Sequence, residues 1–151
     1  MRTIASLLAG LLAISWLTIS FAATECPPTE PDEVGPFYKP HAPVRSKIGT
    51  GYVLSGTVRS STDCRPVHNA RIEFWQAGPG GKYDDAHSAT VLADAAGKYR
   101  LQTDPPPPYM TRPPHIHILV EAPGFQRLIT QHYPAKNSKE AVFDLVLVPA
   151  K

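Results

Sequence analysis

The chain has 151 residues and a formal charge of +2, from 15 Lys and Arg against 13 Asp and Glu, a length that suits one domain with one core. So even a balance, without a clustered basic run, excludes a nucleic-acid-binding surface and a polybasic membrane signal. Seventeen prolines fit edges and turns rather than helices.

Met1-Arg2 is a brief basic start, and Ile4 to Ala22 is almost wholly apolar, with small residues at Ser20 and Ala22 where a signal peptidase would cut. Residues 1–22 therefore read as a signal peptide, and the chain as exported to the periplasm or the extracellular space. A retained membrane anchor is the alternative; the position at the extreme N-terminus favours cleavage, with no stable membrane insertion afterwards. Cleavage removes Arg2 and no acid, leaving a charge of about +1. Both cysteines, Cys26 and Cys64, lie beyond the cut. In an oxidising compartment such a pair suggests a disulfide, the plainer reading being two buried thiols. The bridge would stabilise by roughly 4 kcal/mol in the chain-entropy picture.

Residues 23–50 are rich in Pro, Glu and Thr without useful periodicity and form an irregular N-terminal arm. Within it, Gly35-Pro36-Phe37-Tyr38 reads as an apolar clasp, by itself ordinary aromatic packing. The third segment, 51–151, is a run of short strands, expected over 52–59, 70–76, 89–93, 98–102, 115–120, 126–131 and 142–148. In the second, Ile72, Phe74 and Gln76 share one face, while Arg71, Glu73 and Trp75 share the other; Trp75 reads more readily as core than as pocket wall. Asp94-Ala95-Ala96-Gly97 closes a hairpin between the third and fourth strands. Seven strands with Gly/Pro turns and no amphipathic helix give an all-β fold, a single β-sandwich with mixed or antiparallel pairing.

The segment from Pro105 to Val120 carries the chemistry. Four prolines forbid a helix and lead through Tyr109 and Arg112 into a β-branched run. On that strand His115 and His117 project side by side, while Ile116, Ile118 and Val120 pack on the opposite face. Two imidazoles at this spacing, with a phenol just upstream, can converge on one metal ion. A His-x-His pair alone is weak evidence, since a histidine on a strand is more often a satisfied polar residue. Its company strengthens it: Tyr109 and Arg112 share a short rim, and Tyr83 follows another strand. Spacing does not separate Tyr83 from Tyr99 as a second phenol. His41, His68, His87 and His132 read as surface or loop residues, and Asp84 and Asp85 as solvated.

At these residues the chain resembles the intradiol ring-cleavage dioxygenases, the protocatechuate 3,4-dioxygenase and catechol 1,2-dioxygenase group. The likeness runs from about Gly35 to Tyr133. It includes Gly35-Pro36-Phe37-Tyr38, Gly56-Thr57-Val58, Cys64-Arg65-Pro66, Ile72-Glu73-Phe74-Trp75-Gln76-Ala77, Gly81-Lys82-Tyr83 and Asp94-Ala95-Ala96-Gly97-Lys98-Tyr99. Most specific are the Tyr109, Arg112, His115 and His117 block and Leu128 to Tyr133. The resemblance implies a non-haem Fe(III) held by Tyr83, Tyr109, His115 and His117, with Tyr99 at the family's packing tyrosine. Phenolate is a hard anionic donor that suits ferric iron, and imidazole suits iron as well. It implies further that Tyr109 leaves the metal and helps take up a proton, that Arg112 stabilises negative charge developing on the substrate, and that Gln131 hydrogen-bonds it. The expected partners are a small aromatic diol and O2, and the expected product is a muconate-type diacid from cleavage between the two hydroxyl-bearing carbons. Homo-oligomerisation is compatible with all of this. Only two residues separate Tyr109 from Arg112 where the family carries a longer loop, and Ala93 stands where its hairpin often has Thr.

Two rivals remain at this stage. The stretch from Gly56 to Leu101 also resembles transthyretin-like and carboxypeptidase-regulatory-like binding modules, which lack the tyrosine–histidine block. His115-x-His117-x-x-x-Glu121 matches part of a cupin motif without its flanking glycines. In that reading Glu121, on the same strand face as the histidines, would be a ligand.

Overall fold

In the computed structural model, which describes residues 26–151, eight strands form two four-stranded sheets. They are β1 (Tyr52–Ser60), β2 (Arg71–Ala77), β3 (Tyr83–Leu92), β4 (Lys98–Thr103), β5 (Ile116–Glu121), β6 (Leu128–His132), β7 (Glu140–Val142) and β8 (Leu145–Leu147). One sheet has the order β3-β2-β5-β6 and is antiparallel throughout. In the other, β1 pairs antiparallel with β4 and parallel with both β7 and β8. The expected all-β sandwich is therefore present. The signal peptide expected over 1–22 lies outside the described residues.

Three local expectations give way. The strand expected over 142–148 is two strands, because Asp144 turns out of the ladder: its carboxylate accepts from Thr57 N at 2.8 Å and pairs with Arg59 Nε at 3.0 Å. The Phe143 carbonyl accepts the Tyr99 hydroxyl and lies so close to Gly56 that a Cβ there would sit 2.1 Å from it. Second, β3 begins at Tyr83 rather than at 89, after a bulge between Trp75 and Ala77. Third, β3 and β4 form no hairpin: they adjoin at the Asp94 turn yet belong to opposite sheets. Asp94 Oδ1 accepts from Ala96 N and Lys98 N, both at 2.8 Å. Gly97, at φ 72°, accepts from Val58 N, which sews the turn to β1.

Ile72, Phe74, Ile116, Ile118 and Val120 of one sheet meet Tyr52, Leu54, Val58, Leu101 and Leu145 of the other, all essentially inaccessible. Each such aliphatic side chain contributes about 1.5–3 kcal/mol. The opposite face of β2 and β5 is buried too, at Glu73, Trp75, His117 and Leu119, because the arm covers it. Asp32 N donates to Ile129 O, Thr130 Oγ1 donates to Glu30 O, and Arg45 N and Thr90 N bond to Thr90 O and Pro43 O. Tyr38 donates its hydroxyl to Glu73. Burial alone would raise the Glu73 carboxyl, but bonds from Tyr38 and Arg71 hold it below the usual range. Cys26 and Cys64 form a disulfide with Cα atoms 5.3 Å apart, which ties the arm to the turn after β1.

Candidate metal centre

Three donor atoms converge where the arm crosses the β3-β2-β5-β6 sheet. Tyr83 Oη lies 3.0 Å from His115 Nε2 and 3.1 Å from His117 Nε2. Each is placed by a local feature of the chain. Gly78 to Lys82 make a tight turn, closed by Gly78 N to Lys82 O and Gly81 N to Gly78 O, with Gly81 at φ 70°. That turn and the β2 bulge deliver Tyr83 opposite Ala77. His115 follows Pro113-Pro114, and its Nδ1 lies 2.7 Å from the Pro113 carbonyl. Only a protonated Nδ1 can make that bond, so in the neutral ring the lone pair is on Nε2, on the side of Tyr83. His117 sits in β5 between Trp75 on β2 and Gln131 on β6, so the three share one transverse row of the sheet.

Aromatic side chains enclose the row. The Trp75 indole stacks on His117 with ring centroids 4.9 Å apart and planes within 4°. Trp75 therefore belongs to the site face and packs against Tyr38, contrary to its expected place in the core. Phe37 stacks on Tyr83 at 4.4 Å and 13° and meets Tyr109 edge-on at 5.5 Å. The apolar clasp of the arm is thus a wall of the site. Gly35 (φ 68°) passes so near that a Cβ would lie 3.0 Å from His117 Cε1, so only glycine admits the backbone at this distance.

Tyr109 and Arg112 exchange backbone bonds, Tyr109 N to Arg112 O at 3.1 Å and Arg112 N to Tyr109 O at 2.9 Å, with Met110 at φ 51° between them. The short connection read from the sequence is this two-residue turn. It puts the Tyr109 ring edge-on to Tyr83 at 5.2 Å, lining the same cavity of about 300 Å³ as Arg112, His115 and His117. Among the described residues the Tyr109 hydroxyl makes no hydrogen bond, in contrast to that of Tyr83.

Arg112 Nη2 donates to Gln131 Oε1 and to Tyr133 Oη, both at 2.9 Å. Gln131 Nε2 donates to the Glu33 carbonyl at 2.7 Å, and Tyr133 Oη donates to Asp32 Oδ2 at 2.8 Å. Asp32, Tyr133 and the Glu33 backbone were not singled out from the sequence. Nothing in a Pro-rich arm marks the residue that reaches back to β6.

Burial pushes the Tyr83 phenol up to about 12, partly offset by Arg112, and burial with neighbouring His115 holds the His117 imidazole down to about 4. Both are neutral near pH 7. Among the described residues, buried His117 Nδ1 has no hydrogen-bond partner. Among the described residues no three His, Cys, Asp or Glu side chains form a metal cage, so a metal here depends on phenol oxygens. Neighbouring donors 3.0–3.1 Å apart fit bonds of about 2.1 Å to a common transition-metal ion. The donor set fits such an ion, with Tyr83, His115 and His117 converged and Tyr109 within the same cavity.

The rival residues lie elsewhere. Tyr99 is buried in the other sheet and donates to the Phe143 carbonyl. Glu121 pairs with Arg127 at 2.7 Å, so the cupin-like ligand set does not form. His132 is no surface residue: it is half-buried, with Nε2 2.7 Å from Tyr52 Oη, on the opposite face from Gln131 as expected. His87 is largely buried between Asp84 at 2.7 Å and Asp104 at 3.4 Å, so Asp84 is not merely solvated.

No protein-family model matches the chain. It is similar to chlorocatechol 1,2-dioxygenase of Pseudomonas sp. (strain P51), 31% identical over 139 residues, covering 70% of this chain and 55% of that protein. The chain thus spans about half the length of the curated relatives it matches. Among solved structures it superposes on the dioxygenase domain of a dioxygenase carbohydrate-binding protein fusion from Streptomyces sp. SirexAA-E. There the TM-score is 0.73 at 30% identity, over 82% of this chain and 99% of that one. An intradiol ring-cleavage dioxygenase from Tetranychus urticae shares the fold, with a TM-score of 0.70 at 16% identity over 78% of this chain and 92% of that one.

Proposed function

Because the chain belongs to the intradiol ring-cleavage dioxygenases, we propose that it opens a catecholic ring between its two hydroxyl-bearing carbons. Both atoms of O2 enter the product, so catechol and O2 combine into one muconate-type diacid. Tyr83, Tyr109, His115 and His117 would hold a non-haem ferric ion. When bound, that ion supplies a Lewis-acidic, electron-withdrawing centre that prepares a catecholate for O2.

The chain's own residues supply the rest. Tyr83 and the two imidazoles approach one another closely within a rigid sheet, so little rearrangement is needed to bind the ion. Tyr109 is on the turn rather than in the ladder, so its oxygen, a phenolate when the ion is bound, would be placed to take up a substrate hydroxyl proton and become the neutral phenol. The Arg112 guanidinium, fixed by Gln131 and Tyr133, faces negative charge that develops on the ring. Phe37 and Trp75 keep water from the flanks of Tyr83 and His117.

The observation that carries the reading is the approach of Tyr83 Oη to both histidine Nε2 atoms. The test is to load the purified chain with iron, look for a phenolate-to-iron absorption band, and follow diene-diacid formation from catechol under O2. A colourless protein that takes up no iron defeats the proposal. Export belongs to the same reading: the Cys26–Cys64 disulfide suits an oxidising compartment, and N-terminal sequencing of secreted material tests cleavage near Ala22.

A further inference from the structure

His87 takes no part in the donor set, yet it touches each segment that carries one of its phenols. Its side chain is 14% exposed and sits between two carboxylates, with Nδ1 2.7 Å from Asp84 Oδ1 and Nε2 3.4 Å from Asp104 Oδ2. The His87 backbone N also donates to Asp84 Oδ1, at 3.0 Å. A carboxylate only accepts, so Nδ1 carries a proton towards Asp84. The third neighbour is Gly78, where a Cβ would lie 2.3 Å from His87 Cε1. The ring therefore rests on the bare glycine backbone.

These three neighbours flank the two phenols along the chain. Gly78 opens the turn that delivers Tyr83, and Asp84 follows Tyr83 directly. Asp104 follows β4 and leads through the four prolines, 105–108, to Tyr109. Proline fixes φ, so a run of four is a stiff spacer that carries the orientation set at Asp104 on to Tyr109. His87 thus joins two phenol-bearing segments that leave strands of opposite sheets, β3 and β4.

Asp104 is itself fixed. Its Oδ1 accepts from Thr50 N at 3.0 Å, and its carbonyl accepts from Gln76 Nε2 at 2.9 Å. Gln76, 1% exposed, is the residue at the β2 bulge, and its Oε1 accepts from Thr103 Oγ1 at 3.0 Å. The bulge that places Tyr83 is therefore pinned to the base of the proline segment. The loop after Tyr83 is tied to the arm by Arg45, whose Nη2 donates to the carbonyls of Asp85 and Ser88. It is tied to Asp104 by His87.

We propose that His87 is a positioning residue for the metal centre: through Asp84 and Asp104 it sets Tyr83 and Tyr109 in register with each other, so that both phenol oxygens reach one ion. This rests on the ring-cleavage reading above and adds to it a residue outside the ligand set.

The experiment measures iron affinity by chelator competition and the phenolate-to-iron absorption band, in the wild type and in single variants. His87→Ala should weaken iron binding at least about tenfold, the loss expected for an outer partner of a ligand, and shift the band. The amide of Asn in this place reaches Asp84, as Nδ1 does, whereas that of Gln reaches towards Asp104, as Nε2 does. His87→Gln should therefore recover most of the affinity and of the wild-type band, and His87→Asn little; loss of packing alone would affect the two amides alike. Asp104→Asn keeps the oxygen for Thr50 N and the carbonyl for Gln76 and removes the charge facing His87. It should weaken iron binding severalfold, and it decides the matter where His87→Ala fails to fold. Asp85→Ala breaks the exposed pair with Lys39 on the same loop and should leave both readouts unchanged. Wild-type affinity and band in His87→Ala or in Asp104→Asn, equal recovery by the two amides, or an equal loss in Asp85→Ala overturns the positioning role while leaving ring cleavage standing. A wild-type protein that takes up no iron overturns the underlying reading and this inference together.

Discussion

The indole of Trp75 lies flat on the imidazole of His117, with 4.9 Å between centroids and 4° between planes. The two are direct cross-strand partners on β2 and β5, so the sheet register itself sets the stack. Removing the indole opens a void beside a buried imidazole. Trp75→Ala should cost about 3–5 kcal/mol of stability and weaken iron binding by about tenfold or more, as loss of an orienting neighbour does. Trp75→Phe should recover most of the iron affinity. Chelator competition and thermal melts measure both, and equal loss in the two variants would argue against orientation by stacking.

The donor set predicts a pattern across three substitutions. Tyr83→Phe removes the oxygen nearest both imidazoles and should sharply reduce iron content. Tyr109→Phe should bleach much of the visible band while leaving the protein folded, because that hydroxyl makes no hydrogen bond among the described residues. Glu121→Ala should leave iron unchanged, its carboxylate being engaged by Arg127. An unchanged band in both tyrosine variants would count against this pair of phenolate ligands.

Asp32 meets the site at two side chains, accepting from Tyr133 Oη at 2.8 Å and from Gln131 Nε2 at 3.4 Å. Burial opposes its charge, yet bonds from the Glu33 amide and from Tyr133, with the Arg112 charge, hold its carboxyl below the usual range. Asp32→Asn should lower kcat/KM by about tenfold by loosening Arg112. Iron content and the absorption band should not move, which separates positioning of Arg112 from collapse of the metal site.

The disulfide holds the arm that supplies one wall of the site. Replacing Cys26 and Cys64 by Ser together should lower stability by up to about 4 kcal/mol. Tryptic cleavage at Arg45 and Lys47 should speed up, because the arm otherwise holds by scattered hydrogen bonds. Cleavage unchanged in the double variant would show that Tyr38–Glu73 and the β6 contacts suffice.

His132 predicts an acid-side loss of stability. Burial beside Tyr52 holds its imidazole below the ordinary value of 6.5. The unfolded chain therefore binds a proton at higher pH than the folded one. Its contribution is complete above pH 6.5 and is lost as pH falls below that value towards the folded pKa. The melting temperature of the metal-free protein should fall over that window, and His132→Gln should flatten the fall.

Strand periodicity alone determined much of this protein. The alternation of Ile116, His117 and Ile118 settles which face each side chain takes, because a strand has only two. The Gly and Pro breaks likewise mark out a sandwich, and the Tyr109, Arg112, His115 and His117 block stands together in the chain, so its grouping needed no fold. Tertiary structure decided what depends on register and on segments remote in sequence. The bulge at Trp75 and Ala77 chooses Tyr83 over Tyr99. Pairing of β2 with β5 lays Trp75 on His117, and the arm brings Asp32 to Tyr133 across 101 positions of chain. A local pattern records which way a side chain points; only the packed sheets record what it meets there.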